Sequence, residues 1–175
     1  SSLIKVFEMD GKSLKNVRLP EIGTVTELNG NKDDDKAYFS FTTFTRPPTI
    51  YELNMASLSA TPVFVPEINF KSNAYKTQQV WYQSYDGERI PMFIIHKKGL
   101  RLDSNRPTLL YGYGGFDIPV LPIFNRTRLN LFPIVLENNG VCAVANIRGG
   151  GEFGKKWHEA GIKGNKHNVF HDFQA

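Results

Sequence analysis

Leu109-Leu110-Tyr111-Gly112-Tyr113-Gly114-Gly115-Phe116 is the stretch on which the reading of the fold turns. Pro107 precedes it, and the apolar run Thr108 to Tyr111 reads as a buried strand. Gly112, Gly114 and Gly115 then fall within four positions. Glycine adopts positive φ without strain and lets a backbone approach a ligand closely. A strand that stops in such a turn sends its next side chains outward from the end of the sheet. Here those are the phenol of Tyr113 and the benzyl group of Phe116. In an α/β sheet, ligands bind outside the carboxyl ends of the strands. A phenol there can donate a hydrogen bond to a developing oxyanion, and a phenyl ring can line an apolar pocket. Taken alone, the stretch is equally a glycine turn carrying two packed aromatics.

Two further segments separate these readings. One is Val141-Cys142-Ala143-Val144-Ala145-Asn146-Ile147-Arg148-Gly149-Gly150-Gly151-Glu152-Phe153-Gly154. The other is the tail containing Trp157-His158, Asn165-Lys166 and Asp172-Phe173. With the first stretch they resemble the prolyl oligopeptidase family of serine peptidases. The resemblance runs through most of residues 75–175 and more weakly through the strands before them. It implies the N-terminal portion of an α/β hydrolase catalytic domain, preceded by the last part of a β-propeller. The expected division is 1–68 for the propeller blades and 69–175 for the peptidase domain. The implied activity is serine-type cleavage of short peptides on the carboxyl side of proline, in a cytoplasmic protein that is a monomer when complete. No metal and no organic cofactor are implied. By the same resemblance the hydroxyl of Tyr113 is an oxyanion donor and Phe116 lines the pocket for the substrate proline. The residue after that Phe is often Asn in the family, and here it is Asp117.

The totals fit an ordinary globular chain. Of 175 residues, 41% are hydrophobic and 22% charged, which argues against disorder. The net charge is +4, but the 21 Lys and Arg are scattered among 17 acids, so no nucleic-acid stripe is expected. No apolar run approaches the ~20 residues of a membrane span. The single cysteine, Cys142, excludes an intrachain disulfide and fits a reducing compartment. Its apolar neighbours mark it as a small core residue rather than a nucleophile. The chain opens without an initiator Met and ends on what reads as the start of a helix, so an internal piece of a larger protein is expected.

Residues 1–68 read as short strands: Leu3–Glu8, Leu14–Leu19, Thr24–Leu28, Ala37–Phe44, Thr49–Leu53 and Thr61–Val65. This even spacing suits a propeller blade or a sandwich. The resemblance selects the propeller, with 24–65 as one blade and 3–19 as two outer strands of the blade before. Thr45-Arg46-Pro47-Pro48 is then a hairpin corner, where proline need not supply a ladder donor. Lys32-Asp33-Asp34-Asp35-Lys36 lacks the alternate spacing of a calcium loop and reads as a solvated hairpin tip. Residues 66–76 connect to a second region. There Asp86-Gly87 is a hairpin signal between Thr77–Tyr85 and Glu88–Lys97. Leu129–Glu137 reads as a helix in which Pro133 is either an interruption or a first-turn residue. Asn139-Gly140 ends it, and Val141–Ile147 is a second buried strand. The order strand, strand, glycine loop, helix, strand matches the opening of an α/β-hydrolase sheet.

A serine peptidase of this fold needs Ser in G-x-S-x-G, followed by Asp and then His. None of Ser1, Ser2, Ser13, Ser40, Ser57, Ser59, Ser72, Ser84 and Ser104 has glycine two positions away on both sides. The nucleophile and the rest of the triad are therefore expected beyond Ala175, and the chain alone is expected to be inactive. His96, His158, His167 and His171 lack a zinc spacing and read as structural or exposed. Gly149, Gly151 and Gly154 satisfy G-x-G-x-x-G, with Asp172 at the distance of a ribose acid. The following residues make a poor helix and Asp172 lies in a helical run, so a strand-end loop with structural ion pairs from Arg148 and Glu152 is preferred. Asn125-Arg126-Thr127 is a glycosylation sequon expected to be unused. Two rival readings follow: a non-catalytic propeller-type binding module, and a nucleotide-binding α/β protein.

Overall fold

The computed structural model describes residues 1–103, 105–124 and 131–175. Leu129, Ser104 and the sequon at Asn125 lie outside these residues. The chain divides into two compact units. The first contains Ser1–Ser72 and is joined by the short segment that begins at Leu121. The second contains Asn73–Val120 and the chain from the first α-helix onward.

In the first unit, β1 (Ile4–Phe7) and β2 (Ser13–Val17) form an antiparallel pair. Strands β3 (Thr24–Asn29), β4 (Lys36–Thr42), β5 (Thr49–Asn54) and β6 (Ala60–Phe64) form a four-stranded antiparallel meander in chain order. Alternation of side chains along β4 and β5 places Phe39, Phe41, Tyr51 and Leu53 on the buried face. Phe39 sits directly opposite Tyr51, and their rings stack with centroids 5.2 Å apart. The edge of Phe41 meets the same tyrosine at 6.1 Å. Such cross-strand aromatic pairs fix register, because a one-residue slip would turn the whole set to solvent. The β4–β5 corner is held by Thr43, whose hydroxyl accepts from the Arg46 amide at 3.0 Å. The acidic run between β3 and β4 is exposed, as its sequence predicts.

The second unit is built on a sheet in the order β7-β8-β10-β9. Strands β7 (Tyr75–Gln83) and β8 (Arg89–Lys97) pair antiparallel across the Asp86-Gly87 turn, where Gly87 has φ +87°. β9 (Thr108–Gly112) continues through α1 (Leu131–Glu137) to β10 (Val141–Ala145). β10 lies between β8, antiparallel to it, and β9, parallel to it. Pro133 falls in the first turn of α1, where the missing N–H costs no helical bond. Asn139, at φ 57°, ends the helix in the left-handed region, and the Gly140 amide returns to the Val135 carbonyl at 2.8 Å. Phe132 and Leu136 of α1 are buried, as are Phe93, Ile95, Cys142 and Val144 on the strands it packs against. Burial pushes the Cys142 thiol up to about 12, which keeps it protonated and inert.

The other face of this sheet is covered at one end, where Ile90 and Ala145 pack with Ile147 and Val169, and open at the other. Val80, Met92, Ile94, Leu110 and Ala143 line a concavity of about 530 Å³, with Phe173 at its margin. The sequence leads one to expect a buried β9, but Leu110 is 42% exposed. The reason is topological: β10 is the sole neighbour of β9 among the described residues.

Beyond β10 the chain forms α2 (Lys155–Glu159), a short 3-10 turn at Lys163–Asn165, and α3 (His167–Gln174). A buried ion pair fastens α3 to the sheet. Arg148 Nε lies 2.9 Å and Nη2 2.6 Å from the two carboxylate oxygens of Asp172. Nη1 and Nη2 reach Asp86 at 2.6 and 3.1 Å. The Ser84 hydroxyl donates to Asp172 at 2.7 Å, and the Arg148 amide donates to the same carboxylate at 3.0 Å. The Asp172 side chain is wholly buried and that of Arg148 is 6% exposed. Hydrogen bonds to Asp172 raise the guanidinium's already high pKa, while those from Arg148 hold Asp86 below the usual carboxylate range. Removing one member of a buried pair strands the other in low dielectric, which costs about 3–5 kcal/mol. Asp172→Ala is therefore expected to destabilise the second unit by about that amount in urea melts; a loss below about 1 kcal/mol would show the pair to be no stronger than a surface contact.

Candidate functional site

β9 and β10 run parallel and in register, with Tyr111 opposite Val144 and Gly112 opposite Ala145. Their exits therefore lie side by side at the carboxyl ends of the strands. From β9 emerges a strap, residues 113–120, carrying Tyr113 and Phe116. From β10 emerges the glycine loop, residues 146–154. Tyr113 is 38% exposed and Phe116 82% exposed. Neither is buried beneath the strands, so both side chains are available at the rim.

The two segments are held together largely by backbone. Gly114 has φ +58°, and a Cβ there would lie 2.6 Å from Ile147 Cγ1, 2.7 Å from Val169 Cγ1 and 2.8 Å from the Arg148 carbonyl oxygen. Gly149 has φ +93°, and a Cβ there would stand 2.6 Å from the Gly114 carbonyl oxygen. At Gly149 the strap's backbone occupies the place of a side chain, and at Gly114 the Ile147 and Val169 side chains and the Arg148 carbonyl do. Phe116 and Asp117 also take left-handed backbone, at φ 55° and 57°. Non-glycine residues adopt this conformation only when their surroundings over-determine it. The bonds that do so are specific. Ile118 N–H donates to the Gly115 carbonyl at 3.1 Å, and Asp117 N–H faces the Gly149 carbonyl at 3.3 Å. Lys166 Nζ donates to the Gly114 carbonyl at 3.1 Å. At the far end of the strap, Asn146 Nδ2 donates to the Val120 carbonyl at 2.8 Å, and Glu152 accepts from the Val120 amide at 2.9 Å.

Glu152 departs from its expected role. It makes no ion pair among those of the described residues; Oε1 instead accepts from Val120 and from Asn146 Nδ2, the latter at 3.1 Å. Among the described residues its near partners are the neutral donors of Val120 and Asn146, so it serves as an acceptor for the strap. Arg148 does form the expected ion pairs, with Asp172 and with Asp86. Asp86 reads in sequence only as a turn residue, since nothing local marks a partner 62 positions away. Asp172 has no free oxygen for a ribose hydroxyl, because both accept from Arg148 within the core.

The loop also carries an aromatic anchor. Phe153 packs between Trp81 of β7 and Trp157 of α2, with centroids 6.0 and 5.0 Å away. Trp157 Nε1 donates to the Ile147 carbonyl at 3.2 Å. His158, expected to be structural or exposed, places Nδ1 2.8 Å from the Gly149 carbonyl oxygen and 3.1 Å from the Asp117 nitrogen. His96 is buried within β8, with Nδ1 2.8 Å from the Lys97 carbonyl. His167 and His171 stand one turn apart on α3, with rings 5.7 Å apart.

This architecture matches known proteins in both units. Residues 1–65 match the model of the prolyl oligopeptidase N-terminal beta-propeller domain, and residues 126–175 match that of the prolyl oligopeptidase family. The chain belongs to the prolyl oligopeptidase family. It is 44% identical to the prolyl endopeptidase of Elizabethkingia miricola over 99% of its own length, which is 24% of that relative. A structure from a structural and mechanistic study of two prolyl endopeptidases is 40% identical, with a TM-score of 0.84, over 99% of this chain and 25% of that one. Prolyl oligopeptidase B from Galerina marginata, in its apo form, is 28% identical with a TM-score of 0.87, over 98% of this chain and 24% of that one. The same fungal protein has also been solved bound to a 35mer hydrolysis and macrocyclization substrate. The chain thus spans about a quarter of the length of the relatives it matches. No helix among the described residues is long and apolar enough to cross a membrane.

The interlocked glycines give a direct test of this geometry. Gly114→Ala places a methyl group against Ile147, Val169 and a backbone oxygen, at a positive φ. A loss of at least about 1–3 kcal/mol is expected in chemical denaturation, and an unchanged midpoint would mean that the strap and glycine loop do not interlock.

Proposed function

We propose that the chain forms part of a serine endopeptidase that cuts short peptides on the carboxyl side of proline. Residues 69–175 are assigned to the first part of its α/β-hydrolase domain, and residues 1–68 to the C-terminal blades of its β-propeller. The observation that carries the reading is the exposed placement of Tyr113 and Phe116 on one strap at the carboxyl end of β9. Oxyanion holes of this fold combine the amide after the nucleophile with a donor from the loop after an early strand. Tyr113 is assigned that second role, through its hydroxyl. A phenolic O–H is a hydrogen-bond donor, as an oxyanion requires. Phe116, 82% exposed, is assigned to the pocket for the proline ring, which is apolar and rigid. The sheet order and the antiparallel opening hairpin support the fold assignment.

No serine in the sequence stands in G-x-S-x-G, so the nucleophile, and with it the acid and the histidine base, is assigned to sequence outside these residues. The chemistry is acyl transfer through a serine ester and calls on no metal or organic cofactor. The peptide-bound structure of the fungal relative supports a peptide ligand for the intact protein. The intact protein is assigned as a cytoplasmic monomer, a reducing compartment being one in which a free buried thiol such as Cys142 persists.

Losing one oxyanion donor typically costs about 10²–10³ in kcat, or about 2.7–4 kcal/mol. In the full-length protein, Tyr113→Phe is expected to lower kcat on a proline-containing peptide by about that factor, with little change in KM. A kcat preserved within about twofold, well under that loss, would leave Tyr113 a packed aromatic. The 175-residue chain by itself is expected to release no product from the same peptide; turnover above background would require a nucleophile other than a G-x-S-x-G serine.

A further inference from the structure

His158 stands where the strap, the glycine loop and α2 meet. Its Nδ1 is 2.8 Å from the Gly149 carbonyl oxygen and 3.1 Å from the Asp117 nitrogen. A carbonyl can only accept, so the shorter contact requires the hydrogen on Nδ1. The Asp117 amide then turns to the same Gly149 oxygen, 3.3 Å away. One backbone oxygen thus receives both the imidazole and the strap. The other tautomer would give Asp117 a ring acceptor but would set two lone pairs 2.8 Å apart. Asp117 and Phe116 are the two consecutive left-handed residues of the strap, so the bonds in question hold its most unfavourable backbone. The ends of the strap have separate supports, Lys166 at Gly114 and Asn146 with Glu152 at Val120. The middle, next to Phe116, is met by the Gly149–His158 pair, beside the strap's own Ile118–Gly115 bond and the close packing of Gly151 on the Asp117 carbonyl.

The geometry points to His158 as a positioning residue that sets where Phe116 and Tyr113 stand, without itself touching the substrate. This inference rests on the strap being part of the peptidase site. The bond that matters is an N–H at the δ position, three bonds from Cα. Asparagine carries an N–H there. Glutamine carries its amide one carbon further out, nearer the ε position.

The test uses the full-length protein with His158→Ala, His158→Gln and His158→Asn, each assayed on matched peptides with proline or alanine before the cleaved bond. Misplacing reacting groups by about 1 Å costs on the order of a hundredfold in rate. His158→Ala and His158→Gln are expected to lower kcat by about ten- to a hundredfold and to narrow the preference for proline. His158→Asn is expected to retain both. Combining Tyr113→Phe with His158→Ala should cost less than the product of the single effects, because both act through one strap. If Ala prevents folding, the comparison of Gln with Asn decides the matter. The proposal is overturned if Asn behaves as Ala does, or if all three variants keep wild-type kcat and proline preference while Tyr113→Phe lowers kcat. Tyr113→Phe leaving kcat intact would instead overturn the oxyanion reading beneath it.

Discussion

The second unit depends on one guanidinium. Arg148 leaves the end of β10 and is met at once by two carboxylates, one from the hairpin turn and one from α3. Desolvating such a charge is costly, and here nearly every donor finds an oxygen. The benefit is positional. The amide of Arg148 is bound to the same Asp172 that binds its side chain, so the backbone just before Gly149 is fixed at two points. Tyr82 adds a third tie by donating to the Asp172 carbonyl, and burial pushes its own phenol up to about 12. The glycine loop therefore starts from a rigid origin.

The strap inherits that rigidity. Its contacts to the glycine loop are mostly backbone groups meeting backbone groups or short polar side chains. Two backbones can approach this closely only where Cβ atoms are missing, which explains why both segments are rich in glycine. The aromatic residues are then free to face outward. The arrangement separates the work: Arg148 and Asp172 locate the loop, the glycines mate the two loops, and Tyr113 and Phe116 are left exposed at the rim.

Much of this was legible in sequence where the signal is local. Asp86-Gly87 marked the β7–β8 hairpin, and the apolar runs Ala37–Phe44 and Thr49–Leu53 marked β4 and β5. Asn139-Gly140 marked the end of α1. The strap and its two aromatics were found because three glycines follow an apolar run. Long-range pairings were not legible. Nothing near Asp86 indicates that it would serve Arg148, and nothing near Glu152 indicates that its partners would be amides. The apolar run of β9 looks buried in sequence, yet position in the sheet, not composition, determines its exposure. His158 gave no signal, because its partners are backbone atoms, which carry no sequence.

The clamp around Arg148 also joins parts of the chain that are far apart in sequence. Its partners lie 62 and 64 residues before it and 24 after. Closing long loops is entropically unfavourable until the contact itself forms, whereas the β7–β8 hairpin closes over the short connection of residues 84–88. Local hairpins and the blade-like meander can assemble while the guanidinium is still searching. The glycine loop thus takes its place only where distant parts of the chain meet, as β10 does when it pairs with β8, Cys142 opposite Ile95.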